Sequence, residues 1–131
     1  MSKLVAKIKQ IDSVDNLNIV TFDYNGTALK MMSLDLNEDI KVGIDVYLNM
    51  KPTSVAIGKD FSGLLSYSNQ IKTTIDSIEN GKLLCSIKLF ANDDFLESII
   101  TVESSKKMNL QVGDEVTAII KASELSIAGI L

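Results

Sequence analysis

Two lysines, each followed two positions later by a hydroxyl side chain, are the residues of this sequence best suited to chemistry. Lys121 and Ser123 end an apolar run late in the chain, and Lys51 and Thr53 end a similar run in the first half. A cation beside a neutral donor suits an oxyanion, which also accepts the backbone N–H groups exposed where a strand ends. The spacing alone leaves two interpretations open, an oxyanion-binding element or a solvated lysine beside a turn hydroxyl.

The amino-acid composition argues against catalysis and against a metal centre. The 131 residues include no histidine, all 13 basic residues are lysines, and the 17 acidic residues are scattered along the chain. Without histidine, most triads, metal sites and acid–base arrangements are excluded. The single cysteine, Cys85, lies in an apolar run, which favours a buried hydrophobic role over a nucleophile. The sequence therefore predicts no enzyme and no metal site.

Charge and cysteine content bear on partners and compartment. The formal charge of −4 offers no basic surface for counterion release, so a nucleic-acid partner is not expected. A single cysteine cannot form an intrachain disulfide, which favours the cytoplasm. Lys3 and Lys7 stand where a signal peptide needs its apolar stretch, and no apolar run reaches membrane-spanning length. We expect a cytoplasmic protein without membrane insertion.

Alternating apolar residues and turn signals predict an all-β chain. Apolar and polar residues alternate along 44–50, so that one face of a strand is buried. The pair Asn25-Gly26 stands between two apolar runs and is the strongest short-range signal for a hairpin. Residues 35–40 and 103–110 are each expected to form a short helical segment before the fourth strand of their half.

The two halves of the chain repeat one pattern. The matched positions are Ile8 with Ile75, Ile11 with Ile78, Leu17 with Leu84, Val20 with Ile87, Leu29 with Leu96 and, after a small insertion, Val42-Gly43 with Val112-Gly113 and Val46 with Val116. Such a repeat indicates a tandem duplication. The pattern predicts two tandem OB-like five-stranded β-barrels, each with one short helix, as domains 1–62 and 63–131. An open sandwich of the same strands is the competing architecture.

Ile119 is a reason to expect a second copy of the chain beside the barrel. If Val116, Ala118 and Ile120 face the core, then Ile119 and Lys121 face outward, where an isoleucine is poorly suited to water. We therefore expect another copy to cover this strand, so that Lys121 lines an interface pocket.

Three segments of the second half, 66–72, 99–104 and 112–123, carry a family resemblance. The first reads Ser-Tyr-Ser-Asn-Gln-Ile-Lys and, taken alone, is a turn whose side chains bond to their own backbone. Together the segments resemble the Mop family of molybdate- and tungstate-binding proteins, whose unit is also called the TOBE domain. The likeness is specific over the second half and weaker over the first, so the chain resembles the two-repeat, or di-Mop, members called molbindins.

The resemblance implies oxyanion binding by residues of both repeats. The family's Ser-Ala-Arg-Asn element falls on Ser66, Tyr67, Ser68 and Asn69, and its Lys-Ala-Ser element falls on Lys121, Ala122 and Ser123. The first half has a fainter copy of each element, Ser2 and Lys3 for the first and Lys51, Pro52 and Thr53 for the second. The implied ligand is molybdate or tungstate, held between subdomains by backbone amides, hydroxyls and lysine. No cofactor is implied, and molybdenum or tungsten is present only as the oxyanion. The implied assembly is a trimer of two-repeat chains, and the implied role is storing, buffering or sensing the oxyanion in cytoplasmic molybdenum homeostasis.

Two positions depart from the family pattern. Ser68 stands where the family has arginine, which removes a fixed cation and a multi-donor fork. Tyr67 replaces a small residue and adds bulk beside the expected pocket. These departures keep a second function open, a regulatory or protein-interaction module of a molybdate or tungstate transport system with weakened or lost oxyanion binding.

Overall fold

The computed structural model describes the backbone of residues 2–131 and the side chains of residues 4–131. Its elements in chain order are β1 (Ser2–Val14), β2 (Leu17–Tyr24), β3 (Thr27–Leu34), β4 (Asp45–Met50), β5 (Val55–Gly58), β6 (Asn69–Asn80), β7 (Leu84–Ala91), β8 (Asp94–Thr101), the helix α1 (Val102–Lys107), β9 (Glu115–Ile120) and β10 (Ser126–Ile130). Two 3-10 turns, Pro52–Ser54 and Ala122–Glu124, follow β4 and β9. The all-β, two-unit architecture predicted from the repeat is confirmed.

The two five-stranded sheets exchange a strand. One sheet has the order β10-β4-β1-β2-β3 and the other β5-β9-β6-β7-β8. Val55 of β5 pairs with Ile120 of β9, and Ser126 of β10 pairs with Asn49 of β4. Each sheet therefore takes four strands from one half of the chain and its fifth from the other. The predicted division into residues 1–62 and 63–131 separates the two repeats along the chain, but each sheet contains one strand from the other side of that boundary. As a division into domains it stays a prediction.

The repeat is visible in the backbone as well as in the sequence. Each long first strand has a register shift at the matched place, between Ile8 and Gln10 in β1 and between Ile75 and Ser77 in β6. At the same place the Gly43 N–H donates to the Ile8 carbonyl at 2.8 Å, and the Gly113 N–H donates to the Ile75 carbonyl at 2.8 Å. Both glycines have φ above +90°, a conformation that side chains with a Cβ rarely adopt. Duplication therefore preserved the tight turn that leads into the fourth strand of each half.

The predicted helical segment forms in the second half and not in the first. The Thr101 hydroxyl caps α1 by accepting the Ser104 N–H at 3.1 Å, which satisfies one of the free donors at a helix start. At the equivalent position the first half has Leu34, which cannot cap, and Asp35 adopts φ of 51°. Residues 35–40 are consequently irregular.

The cores are aliphatic, as the composition predicts. The side chains of β4 and β9 that were predicted to face inward are all buried, and these are Val46, Leu48, Met50, Val116, Ala118 and Ile120. Cys85 is free and fully buried, as predicted.

The two hairpin tips meet through a buried tyrosine. The Tyr24 hydroxyl lies 2.7 Å from Asp94 Oδ2 and 3.2 Å from the Ala91 carbonyl oxygen. Burial, and then the hydrogen bond to Asp94, raise the pKa of the Tyr24 phenol well above its usual value. Tyr24 therefore remains a proton donor and ties the β2–β3 tip to the β7–β8 tip.

The segment after β5 is anchored to the second half by an ion pair. Lys59 Nζ lies 3.1 Å from Asp114 Oδ2 and donates to the Asn109 carbonyl at 2.8 Å. The Gln111 N–H also donates to Asp114 Oδ2 at 2.9 Å. The Gln111 N–H and the Lys59 ammonium lower the pKa of Asp114.

We predict that Asp114→Asn lowers the free energy of unfolding at pH 7 and has little effect in acid. A lowered pKa in the folded state contributes stability above the ordinary aspartate pKa of about 3.9, and the contribution disappears as the pH falls through the folded pKa. Urea denaturation of both proteins between pH 7 and pH 2.5 measures the difference, with exposed Asp39→Asn as the matched control. A difference that does not change with pH would contradict the predicted linkage.

Candidate functional site

The two candidate elements of the second half lie at one end of its sheet. Asn69, the first residue of β6, pairs with Ile120, the last residue of β9. The residues just before β6 and just after β9 are therefore neighbours. Lys121 Nζ lies 5.9 Å from the centroid of the Tyr67 ring, within reach of a weak cation–π contact. The structure thus brings the 66–69 element and the 121–123 element together.

The lysine-containing elements of the two halves have the same backbone. Lys51 has φ −71° and ψ 137°, and Lys121 has φ −69° and ψ 142°. The Lys51 carbonyl accepts the Ser54 N–H at 2.8 Å, and the Lys121 carbonyl accepts the Glu124 N–H at 2.9 Å. Lys51 and Lys121 are both exposed and both immediately precede a 3-10 turn. The elements that the sequence singled out are therefore structural equivalents.

The strand exchange connects the two 3-10 turns. The Ser54 hydroxyl donates to Glu124 Oε2 at 3.2 Å, and Val55, next in the chain, pairs with Ile120. The Lys51–Thr53 element and the Lys121–Ser123 element consequently lie near the junction of the two halves. Glu124 also introduces a carboxylate next to Ser123, which opposes a dianion there.

Asn69 has a role that sequence reasoning missed. Its side chain is buried, its Oδ1 accepts the Lys30 N–H at 2.6 Å, and its Nδ2 donates to the Lys30 carbonyl at 2.8 Å. Because both ends of the amide are engaged, it continues the hydrogen bonding of the β3 edge across to β6. Asn69 was predicted as a ligand residue, and its geometry is that of a positioning residue that joins the two halves. No local sequence signal indicates Lys30 as its partner.

The rest of the 66–69 element is open to solvent. Ser66 and Ser68 are exposed, and Tyr67 is 39% exposed. The Tyr67 carbonyl accepts the Gln70 side-chain amide at 3.1 Å, which holds the chain as it enters β6. Two hydroxyls beside the Lys121 ammonium are therefore available to a ligand.

The fainter first-half copy is described only in part. In the backbone, Ser2 pairs with Met50 and Lys3 with Asn49, so both residues adjoin the Lys51–Thr53 element. The side chains of Ser2 and Lys3 lie outside the described residues. Asn49 was not predicted as a site residue, yet its Oδ1 is buried without a hydrogen-bond partner among the described residues. The only sequence signal for it was a polar residue at an outward position of β4.

The structure overturns the inference drawn from Ile119. Ile119 is only 6% exposed within a single chain. A Cβ placed on Gly58 would lie 3.2 Å from Ile119 Cδ1 and 3.0 Å from Phe61 Cβ, so these three residues are packed together. The chain's own segment after β5 covers Ile119. The prediction that a second copy covers it was wrong, because the strand exchange brings Gly58 and Phe61 across from the first half.

Neither the side-chain cluster of a metal centre nor a membrane-spanning helix is found among residues 2–131. Among residues 2–131, no group of three His, Cys, Asp or Glu side chains is arranged to hold a metal ion. No helix within the same residues is long and apolar enough to cross a membrane.

Comparison with known proteins gives a consistent set of relatives. A family model described as the TOBE domain matches residues 65–127. A Haemophilus influenzae protein named a probable molybdenum-pterin-binding protein is 34% identical over 64 residues, which cover 48% of this chain and 93% of that protein. A crystal structure of the cytoplasmic molybdate-binding protein ModG with molybdate bound has a TM-score of 0.90 at 21% identity, over 98% of this chain and 95% of that one. At this identity the structural match supports the two-unit OB-like fold.

Proposed function

This chain belongs to the Mop family of TOBE-domain proteins, and from that premise we propose that it binds molybdate or tungstate as a free oxyanion. The observation that carries the proposal is the meeting of Lys121 with the Ser66–Ser68 segment at one end of the second sheet. The names of the relatives, a probable molybdenum-pterin-binding protein and a molybdate-binding protein, agree with this ligand class.

The ligand set consists of one ammonium group and several neutral donors. Lys121 supplies the cation, and the hydroxyls of Ser66, Ser68 and Ser123 are exposed at the same end of the sheet. Charge-assisted hydrogen bonds contribute roughly 1.5–3 kcal/mol each. Four or five of them reach micromolar affinity after association costs of several kcal/mol. The Lys51–Thr53 element, with Ser2 and Lys3, is the second and weaker site of the proposal.

The physiological role that follows is that of a binding protein and not an enzyme. We assign it to storing, buffering or sensing the oxyanion in the cytoplasm for molybdenum homeostasis, with oxyanion held at interfaces between repeats in a trimer. The absence of histidine from the sequence supports a binding role, since the usual general base is missing. ModG, whose fold this chain has, is described as cytoplasmic.

Isothermal titration of the purified protein tests the proposal. We expect heat of binding with sodium molybdate and with sodium tungstate at protein concentrations of about 50 μM, well above a micromolar Kd. Sodium sulfate, a smaller tetrahedral dianion, is the specificity control. The absence of heat with both molybdate and tungstate would exclude oxyanion binding at physiologically useful affinity.

One group of observations favours the second function, a protein-interaction module with weakened oxyanion binding. Ser68 replaces the arginine of the family pattern, Glu124 introduces a negative charge beside Ser123, and the Asn69 amide is already engaged by Lys30. Elemental analysis of protein purified from its native source without added metal distinguishes the two functions. A storage protein carries molybdenum or tungsten, whereas a pure interaction module carries neither.

A further inference from the structure

The outer face of the first sheet carries an exposed apolar patch at the end where β1 turns into β2. Val14 is opposite Leu17, Leu17 is opposite Leu34, and Ile19 is opposite Met32, and residues directly opposite each other share a face of the sheet. Val14 and Leu34 are 73% and 69% exposed, and Leu17 and Met32 are 45% and 43% exposed. Contiguous apolar side chains in solvent mark an interaction surface. We call these five residues the corner patch.

The fold does not need the corner patch, as the second half of the chain shows. At the same register positions the second half has Gly81, Leu84, Ser86, Ile99 and Thr101, so that three of the five apolar side chains are replaced. The Ser86 hydroxyl donates to Glu97 Oε1 at 3.1 Å on this face. Both halves nevertheless form five-stranded sheets. An apolar side chain at the positions of Val14, Ile19 and Leu34 is therefore not required for folding.

The corner patch borders a rim that is mostly acidic. Residues 10–20 and 31–40, which contain the patch and its flanking turns, include no lysine and five exposed acidic residues, Asp12, Asp15, Asp35, Glu38 and Asp39. Asp12 is opposite Ile19. The Asp35 N–H donates to the Asn16 carbonyl at 3.4 Å, which places Asp35 beside the turn that contains Asp15. The nearest lysine along β3 is Lys30, two positions beyond Met32 on the side away from these turns.

The acidic rim decides what can cover the corner patch. A second copy docked through the same face would place five carboxylates against an identical set, and like charges oppose such a contact. An anionic membrane surface is opposed for the same reason. A protein partner with lysine or arginine beside its apolar side chains would gain from apolar burial and from charge complementarity together.

The dimensions of the corner patch match one face of an α-helix. Three adjacent strands are about 10 Å wide, and successive outward residues of one strand are about 7 Å apart. A helix is about 10–12 Å across with its side chains, and its residues i and i+4 are about 6 Å apart along the axis. We propose that the corner patch binds a basic amphipathic helix of a partner protein. The apolar face of the helix lies on the patch, and its lysines or arginines lie beside Asp12, Asp15 and Asp35.

This docking surface does not depend on oxyanion binding. β1 begins with Ser2 opposite Met50, beside the Lys51–Thr53 element, and ends with Val14 in the corner patch. The 13 residues of β1 correspond to about 40 Å of extended strand. The helix site and the first-half oxyanion element therefore lie at opposite ends of one strand.

A designed peptide is the probe for the corner patch. It has about 18 residues, all leucine or lysine, with leucines at positions i, i+3, i+4 and i+7 so that they form one face of a helix. A matched peptide carries glutamate in place of every lysine. By fluorescence anisotropy we expect the wild type to bind the lysine peptide at least about tenfold more tightly than the glutamate peptide. The lysine peptide should shift the backbone amide NMR signals of residues 12–19 and 32–35.

The variants take their replacements from the other half of the chain. Ile19→Ser with Leu34→Thr introduces the second-half residues, and we expect it to weaken binding of the lysine peptide at least about tenfold. Asp15→Asn with Asp35→Asn removes two charges at positions with φ of 54° and 51°, which asparagine tolerates, and should weaken binding about threefold and reduce its salt dependence. Leu84→Ser, at a position 55% exposed on the second sheet, is the matched control and should bind like the wild type.

Several results would overturn the proposal. Equal affinity for the lysine and glutamate peptides would remove the role of the acidic rim. Wild-type affinity in the Ile19 and Leu34 double variant, with circular dichroism showing it folded, would exclude the corner patch. If that variant does not fold, Leu34→Thr alone takes its place. A lower mass of the folded variant by light scattering would mean that the patch joins copies of this chain instead. Binding to phosphatidylcholine vesicles but not to the peptide would mean that it contacts lipid.

Molybdate titration of the same proteins separates this proposal from the proposed function. The Ile19 and Leu34 double variant is expected to keep the wild-type Kd for molybdate. Wild-type protein that binds the lysine peptide at the corner patch but binds no oxyanion would refute the proposed function and leave the helix docking standing. Wild-type protein that binds molybdate but not the peptide would refute the helix docking alone.

Discussion

The double variant Lys121→Ala with Ser123→Ala is expected to bind molybdate at least about tenfold more weakly than the wild type. Each lost charge-assisted hydrogen bond costs roughly 1.5–3 kcal/mol of binding free energy. A loss of about 1.4 kcal/mol already raises the Kd tenfold. Both side chains are exposed, and neither belongs to the core. The double variant should therefore keep the fold. It loses only a weak contact between Lys121 and the Tyr67 ring. Isothermal titration of the variant and of the wild type measures the change in Kd, and thermal unfolding verifies that the variant is folded.

Two further variants show whether a loss of affinity is local. Lys82→Ala removes an exposed lysine from the turn before β7 and should leave the Kd unchanged. Glu124→Gln removes the carboxylate beside Ser123 and should tighten binding, because a negative charge near a dianion is repulsive. Unchanged affinity in the Lys121 and Ser123 double variant would mean that the oxyanion binds elsewhere.

The parts of the fold that the sequence predicted correctly depend on local chemistry. Asn25 and Gly26 adopt φ of 48° and 90°, the left-handed pair that an Asn-Gly hairpin requires. The matched glycines, Gly43 and Gly113, were found because only this residue type fits the turn that both halves need. Strand alternation was equally readable along β4, where one face is buried and the other is not, whereas in β9 the outward Ile119 is buried as well.

The parts that the sequence did not predict depend on contacts between distant segments. Nothing local to β5 or β10 distinguishes pairing with its own half from pairing with the other, so the strand exchange was not foreseen. The strand exchange also explains why the inference from Ile119 was wrong, because Gly58 and Phe61, which cover Ile119, belong to β5 and the segment after it. The prediction of a helical segment at 35–40 was wrong for a local reason: Leu34, which cannot cap a helix, stands where the second half has the capping Thr101.

The candidate site divides in the same way. The family resemblance assigned Lys121 and Tyr67 to the oxyanion site but did not predict that they meet within one chain. The pairing of β6 with β9 brings them together. The commitment of Asn69 to Lys30 was not foreseeable, because the partner is a backbone group of the other half. Asn49 was likewise missed, because an unpartnered buried oxygen appears only in three dimensions.

Replacing Asn69 with alanine is expected to lower the free energy of unfolding by about 2–6 kcal/mol. Two partly buried backbone groups of Lys30 then lose their partner, at roughly 1–3 kcal/mol each. Asn69→Asp should be worse still. Its carboxylate would retain the bond from the Lys30 N–H but face the Lys30 carbonyl with a second acceptor, and it would bury a charge. Urea denaturation at pH 7 measures both losses.

The matched control for Asn69 is its neighbour, Gln70, whose side chain makes one exposed hydrogen bond to the Tyr67 carbonyl. Gln70→Ala should lower the free energy of unfolding by about 0.5–1.5 kcal/mol, the usual range for a single hydrogen bond. If Asn69→Ala were as mild as Gln70→Ala, water would be satisfying the Lys30 backbone groups, and the Asn69 amide would contribute little to joining the two halves. If Asn69→Ala were destabilising but its folded fraction still bound molybdate with wild-type Kd, the amide would act only by holding β3 to β6. If Asn69→Ala instead lost both stability and molybdate affinity, the hydrogen bonds between Asn69 and Lys30 would also be keeping Ser66 and Ser68 in position for the ligand.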